Sequence, residues 1–372
     1  MGSADDLPDV STFELWEWDC CHPALPVILR EQPVPPVILR ERSDSQDPAT
    51  TRRMTVDTGC LGSTIAASTP ITTVRKVDGM SFSTAIVGPG AIGTTIAAAL
   101  HESGNTPVLC GHRHRDHLTL LDGTRIITVP GPILTDPAEQ ADTADVVFLA
   151  VKATQTEAAA GWLTSLCGPH TVVCVLQNGI EQVRMVTPYA AGSQVIPAVV
   201  WFPAQAQPDG SILLRGHAQL TLPDTQASKV IQAVLDNTWC EAELSADFSS
   251  LAWRKLLQNA AGGLMVLTGR RSGTYRRADI SRLTLDYLDE CLQVARAEGA
   301  SLDDGTPQEI LNIYQSSPPD MGNSILADHE AGRPLEWDIR NGVIQRLGRV
   351  HGIPTPISDV IVPLLAAASD AN

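Results

Sequence analysis

The chain is poor in positive charge: 26 Lys and Arg stand against 42 Asp and Glu, for a net charge of −16. A protein that tracks nucleic-acid phosphates needs a basic face, so that class of partner is excluded. Self-repulsion suits a dispersed enzyme, and any anion site has to be assembled locally. Paired cysteines are also missing. Cys20, Cys21, Cys60, Cys110, Cys167, Cys174, Cys240 and Cys291 show no CxxC spacing and none of the density of a small disulfide scaffold. Cys110, within Val108-Leu109-Cys110, reads as a small buried hydrophobe. No run approaches the roughly 18 apolar residues of a membrane span, and Met1-Gly2-Ser3-Ala4-Asp5-Asp6 has no basic lead into an apolar segment. His112, His114 and His117 crowd one stretch, but no acid–histidine set completes a metal site. The expectation is a reduced, cytoplasmic setting without membrane, nucleic acid or metal.

What is present is enough hydrophobic residue, 43% of 372, to build two ordinary domains. The first 79 residues look unlike the rest. Pro26-Val27-Ile28-Leu29-Arg30 is echoed by Pro36-Val37-Ile38-Leu39-Arg40, a repeat too brief for a solenoid, amid prolines and a Ser/Thr-rich stretch without periodicity. Met80-Ser81-Phe82 then stands directly before an apolar run. Residues 1–79 are therefore read as a disordered extension or a mis-called upstream reading frame, in preference to a small domain.

Phe82–Val87 suits a buried parallel strand. It enters Gly88-Pro89-Gly90-Ala91-Ile92-Gly93, and Thr94–Leu100 reads as a helix ended by Ser103-Gly104-Asn105. A glycine-rich turn between strand and helix is the setting of a dinucleotide site: Gly88 for the turn, Gly90 for close approach of pyrophosphate, Gly93 for helix–strand packing. A second strand follows over Thr106–Gly111. Where an NAD site places an acid for the ribose hydroxyl, this chain has His112-Arg113-His114-Arg115. Arginine matches a 2′-phosphate, which favours NADP(H), the alternative being a solvated Arg/His loop. The strands Asp145–Val151 and Val172–Leu176 end at Lys152 and at Gln177-Asn178-Gly179, beyond the carboxyl edge where open sheets bind ligands. Pro208-Asp209-Gly210, between Val199–Phe202 and Ile212–Leu214, suggests an antiparallel hairpin closing this domain.

From about Ser250 the pattern turns helical: Trp253, Leu256, Leu257, Ala260 and Leu264 form one apolar stripe, and Lys255 and Asn259 share another face. Ser324–Glu330 reads as a short helix, broken at Ala331-Gly332-Arg333-Pro334. A longer helix opens at Leu335 and ends at His351-Gly352-Ile353-Pro354. Glu336 and Asp338 fall in its first turn, where capping alone could account for them. The fold class expected is α/β: a Rossmann-type doubly wound sheet over residues 80–248, followed by an all-helical substrate domain over 249–372.

In order along the chain, the glycine turn, Ala150-Val151-Lys152, Gln177-Asn178-Gly179, Trp253–Asn259, Asn323-Ser324, Gly332–Gly342 and His351–Pro356 together resemble the ketopantoate reductase family. The resemblance implies NADPH-dependent reduction of 2-dehydropantoate to (R)-pantoate in pantothenate synthesis, with Lys255 as general acid and Glu336 holding or polarising the substrate hydroxyl. The alternatives are reduction of another 2-oxo acid on the same fold, or a non-catalytic NADP(H) sensor. The resemblance further implies that Ser324 binds the carboxylate, that Asn259 supports the substrate site, and that Asn178 contacts substrate as well as cofactor. Asn178, Lys152, Arg113 and Glu336 join the glycine turn in cofactor contacts. Burial would lower the pKa of Lys255, and Glu336 would counter that trend. Oligomeric state stays open, with a homodimer among the options. Two positions depart from the family pattern. Gly263 stands where a second asparagine is common, and Arg271-Ser272-Gly273 replaces another polar contact, so the identity of the 2-oxo acid is the point in question.

Overall fold

A computed structural model describes residues 82–370; the reading of residues 1–79 lies outside them. The glycine turn joins β1 (Thr84–Val87), whose four residues are all buried, to α1 (Ala91–Glu102). Then come β2 (Val108–Cys110), β3 (His117–Asp122), β4 (Arg125–Pro130) and β5 (Ile133–Leu134). β6 (Val146–Leu149), α2 (Ala160–Leu166), β7 (Val172–Val175), α3 (Gln182–Val186) and β8 (Gln194–Pro197) complete the first layer set. Six of these strands form one parallel sheet in the order β5-β2-β1-β6-β7-β8. Both faces are covered, because successive side chains point opposite ways. Ile86, Phe148 and Cys174 pack into the core that contains α1. Ala85, Val87, Val147 and Leu149 pack with Trp162, Leu163 and Leu166 of α2. Strand order reverses between β1 and β6, which opens a crevice beyond their carboxyl ends.

β9 (Val199–Val200), β10 (Ala204–Ala206), β11 (Ile212–Leu214), β12 (Gln219–Pro223), α4 (Gln226–Leu235) and β13 (Glu241–Ser245) follow. The turn at Pro208-Asp209-Gly210 does join an antiparallel pair, but the partner of β11 is β10 rather than Val199–Phe202. β9 pairs with β12 instead. The cause is tertiary: the Trp201 N–H donates to the Gln219 carbonyl at 3.0 Å, drawing β9 into that sheet. Pro203 then interrupts the ladder, since it has no N–H to give.

The second half has its own core. α5 (Phe248–Thr268) starts at Asp247, whose side chain accepts from the Ser250 N–H, and stops at Gly269 in the left-handed region. All five residues of the sequence stripe are buried. α6 (Ala278–Ala297), α7 (Thr306–Ser316) and α8 (Ser324–Glu330) pack with it, α8 having the limits read from sequence. The next helix differs from expectation. It resumes at Trp337, and Asp338–Gly342 adopts π geometry before α9 (Val343–His351) and α10 (Pro356–Asp370). Leu335 and Glu336 lie outside it, so first-turn capping does not account for Glu336. The Leu335 N–H is held instead by Ser369 Oγ at 3.0 Å. Among the described residues, no helix is long and apolar enough to cross a membrane.

Candidate active site

At the switch point, Gly88 has φ +89° and lies so close to the end of β6 that a Cβ there would stand 2.7 Å from the Val151 nitrogen. A Cβ on Gly93 would reach 2.5 Å from the Gly88 carbonyl oxygen, so helix and turn meet in contact only a glycine allows. Gly90 is different: a Cβ there would meet nothing within 4 Å. No side chain at Gly90 caps the first backbone N–H groups of α1, a 12-residue helix. A bare helix start beside an open glycine fits a pyrophosphate. Across the turn, the two arginines have separated. Arg115 donates to the Gly210 carbonyl at 3.1 Å, whereas Arg113 is exposed and makes no hydrogen bond or ion pair among the described residues.

The ends of β6 and β7 lead to the helical half. Glu336, 5% exposed, accepts from the Ala153 N–H and from Asn178 Nδ2, each at 3.1 Å, and from Arg340 Nη2 at 3.4 Å. Asn178 Oδ1 in turn accepts from Asn259 Nδ2 on α5 at 3.3 Å. Since a carboxylate only accepts, Glu336 fixes the orientation of the Asn178 amide, and that amide fixes Asn259. Burial alone would raise the Glu336 pKa. The Arg340 charge, the Ala153 N–H, the Asn178 amide and Lys152 outweigh it, so the carboxyl is held below its ordinary range.

One turn of α5 from Asn259, the Lys255 ammonium lies 4.9 Å above the Trp201 ring. Trp201 belongs to the N-terminal half and is anchored by its indole N–H to Thr221 at 2.8 Å. Lys255 therefore projects between the halves. Its pKa is lowered to about 8, first by burial and then by the Arg340 charge. Here the structure corrects the sequence reading: the charged neighbour that shifts Lys255 is Arg340, and it acts in the same direction as burial. Glu336 is not among the groups that shift it.

Lys152 lies just past β6 as expected, yet its amine is ion-paired with Asp328 on α8, which Arg333 also holds at 2.9 Å. Ser324 is exposed at the start of α8, and its oxygen accepts from Arg340 Nη2 at 2.9 Å. The departures fall elsewhere. A Cβ on Gly263 would stand 3.2 Å from Asn341 Nδ2 and 3.0 Å from Leu365, inside the helical core. Arg271 pairs with Glu330 at 2.7 Å, and Ser272 is buried against the Tyr314 carbonyl at 2.6 Å. Sequence reasoning passed over Trp201, Asp328 and Arg340. Arg340 had a signal: it follows Glu336 at i+4, the spacing of a helical ion pair.

A dinucleotide crevice of the Rossmann type, overlooked by a lysine from a separate helical core, defines a nicotinamide-dependent oxidoreductase. The sequence pattern of "Ketopantoate reductase PanE/ApbA" matches residues 84–227, and that of its C-terminal part matches 247–369. A 2-dehydropantoate 2-reductase from Mycobacterium tuberculosis (strain ATCC 25618 / H37Rv) is 54% identical over 292 residues, covering 78% of this chain and 99% of the relative. One from Caulobacter vibrioides is 35% identical, over 77% of this chain and 99% of the relative. Among solved structures, a dimeric ketopantoate reductase from Staphylococcus aureus superposes with a TM-score of 0.71 at 28% identity, over 78% of this chain and 99% of that one. The chain belongs to the ketopantoate reductase family.

Proposed function

We propose that the chain reduces 2-dehydropantoate to (R)-pantoate with NADPH, a step in pantothenate synthesis, and that the residues just described carry the reaction. The observation behind this reading is the continuous bonding from Asn259 through Asn178 to Glu336, with Lys255 one turn away on the same helix. The glycine turn Gly88–Gly93 and the first turn of α1 receive the pyrophosphate. Arg113, exposed and without a partner among the described residues, meets the 2′-phosphate, while Arg115 stays bound to the Gly210 carbonyl. Bound in the crevice, the reduced nicotinamide supplies a hydride to the carbonyl carbon of the 2-oxo acid.

As the carbonyl carbon is reduced, its oxygen gathers negative charge, and the Lys255 ammonium donates a proton to it, leaving a neutral amine and a 2-hydroxy acid. Low polarity around Lys255 strengthens its attraction to the forming alkoxide. Glu336, ionised, has one acceptor position left for the substrate's hydroxyl and borders the cofactor from the β6 side. Ser324 binds the carboxylate, and Asn259 and Asn178 fix the acceptor geometry between them. Lys152, joined to Asp328, positions the halves about the bound pair. Residues 80–248 act as the NADP(H) domain and 249–372 as the substrate domain. The reading includes a cytoplasmic setting, with a homodimer, as in the dimeric Staphylococcus aureus relative, as one option for its assembly.

The test is NADPH oxidation by the full chain with 2-dehydropantoate, against other branched or aromatic 2-oxo acids and against NADH. Turnover with the highest kcat/KM on 2-dehydropantoate supports the reading. A higher value on another acid would transfer the same chemistry to that substrate. Tight NADPH binding without turnover on any acid would mark a cofactor sensor and overturn it.

A further inference from the structure

Arg340 has the largest of the fully buried side chains among the described residues, with 2% exposure. It sits in the π-helical segment Asp338–Gly342, where the wider turn carries its side chain inward. A buried guanidinium persists only where its charge is matched. Glu336 supplies the match at 3.4 Å, and Ser324 Oγ takes a second bond at 2.9 Å. The Arg340 Nε has no partner among the described residues, and the bonds to Ser324 and Glu336 both run through Nη2.

The direction of the Arg340–Ser324 bond is fixed by chemistry. A guanidinium has donors and no acceptor, so the serine oxygen accepts and its hydroxyl hydrogen points elsewhere. Ser324 is not needed to cap α8: Asn323 accepts from the Leu326 N–H at 3.0 Å and gives its amide to the Gly262 carbonyl at 3.0 Å. Ser324 itself is exposed. Its O–H is thus left as a donor toward whatever lies in the cleft, and bonding to a cation makes that donor stronger.

We propose that Arg340 is a positioning residue that, without touching substrate, commits Ser324 to donate toward the carboxylate of the 2-oxo acid while balancing Glu336. The inference rests on the reading that Ser324 meets that carboxylate. It adds a second consequence: one side chain links the group that binds the acid end of the substrate to the one that holds its hydroxyl. Neutral substrates lacking the carboxylate gain nothing from this arrangement, so it selects for 2-oxo acids over uncharged ketones. The same charge reaches Lys255, in line with a residue that serves the whole site.

The test is a double-mutant cycle in the full chain with Ser324→Ala and Arg340→Met, read as KM for the 2-oxo acid, kcat, KM for NADPH and thermal stability. Each single change is expected to raise the 2-oxo-acid KM roughly 10-fold or more, the size of one charge-assisted hydrogen bond. The double variant should be no worse than Arg340→Met alone, with the NADPH KM unchanged, and Arg340→Lys should recover part of the loss. If Arg340→Met does not fold, Arg340→Lys enters the cycle in its place. Losses that multiply, or a 2-oxo-acid KM unmoved while stability falls, would overturn the role of Arg340 and leave the enzyme assignment standing. A folded wild-type protein inert on every 2-oxo acid would overturn that assignment and this inference with it.

Discussion

Asn178 gives its amide to Glu336 at 3.1 Å across 158 positions of sequence, and this single bond ties the loop after β7 to the segment before the π turn. Its direction is imposed by the carboxylate, which can only accept. Each half of the chain therefore completes an arrangement that the other half cannot make alone.

Glu336→Gln should show how much that arrangement matters. The new amide nitrogen would face either the Ala153 N–H or the donors of Asn178 and Arg340, and Arg340 would lose its counter-charge. The expected loss in kcat/KM is roughly 10–150-fold, from a charged hydrogen bond of ~1.5–3 kcal/mol. A stability loss of about 3–5 kcal/mol should accompany it, as when one partner of a buried pair is removed. The folded pKa of Glu336 is depressed. Its contribution is thus present above the ordinary glutamate range and lost as pH falls through the lowered value. Thermal melts across acid pH should show a flatter decline in the variant.

With Lys255 as the proposed proton donor, the alkaline limit of the reaction should follow its amine, whose pKa is lowered to about 8. The kcat/KM for reduction should accordingly fall as pH rises through about 8, while oxidation of the hydroxy acid, which needs the neutral amine, should rise over the same range. Lys255→Ala should cut kcat by roughly 10²–10⁴-fold and leave NADPH affinity nearly unchanged. Unaltered turnover would remove Lys255 from the mechanism.

Two glycines of one motif should respond differently to the same substitution. Gly93→Ala puts a Cβ 2.5 Å from the Gly88 carbonyl oxygen and should lower the melting temperature together with cofactor binding. Gly90→Ala meets no protein atom within 4 Å, so stability should hold while NADPH affinity drops, because the methyl group fills the space a pyrophosphate needs. Melting curves and fluorescence titrations on the pair separate the outcomes. Equal NADPH affinity in Gly90→Ala and the wild type would place the phosphates elsewhere.

Arg113 and Arg115 should separate likewise. Arg113→Ala is expected to weaken NADPH roughly 10–150-fold, one charge-assisted contact, with little effect on NADH. Arg115→Ala removes a bond to the Gly210 carbonyl and should affect the loop more than the choice of cofactor. Equal changes for both cofactors in Arg113→Ala would argue against a 2′-phosphate contact there.

Much of the fold was written locally. A buried strand entering Gly88–Gly93 and then an alanine-rich helix admits few architectures, and the stripe Trp253, Leu256, Leu257, Ala260 and Leu264 packs as its periodicity requires. α8 has the limits its sequence suggests because Asn323 starts it and the Gly332 break follows. The hairpin partner of β11 was misread, since the choice between β9 and β10 turned on where Gln219 lies in space.

The amino-acid order by itself determined the glycine turn, the helical periodicities and the polar residues available at strand ends, because each depends on neighbours within a few positions. Only tertiary structure decided what those residues do to one another. It brought Arg340 to Ser324 and Glu336, set Lys255 over Trp201, paired Lys152 with Asp328, and filled the space beside Gly263 with Asn341. Charge and hydrogen bonding act through distance in space, and spacing along a chain does not give that distance once two separate cores have packed.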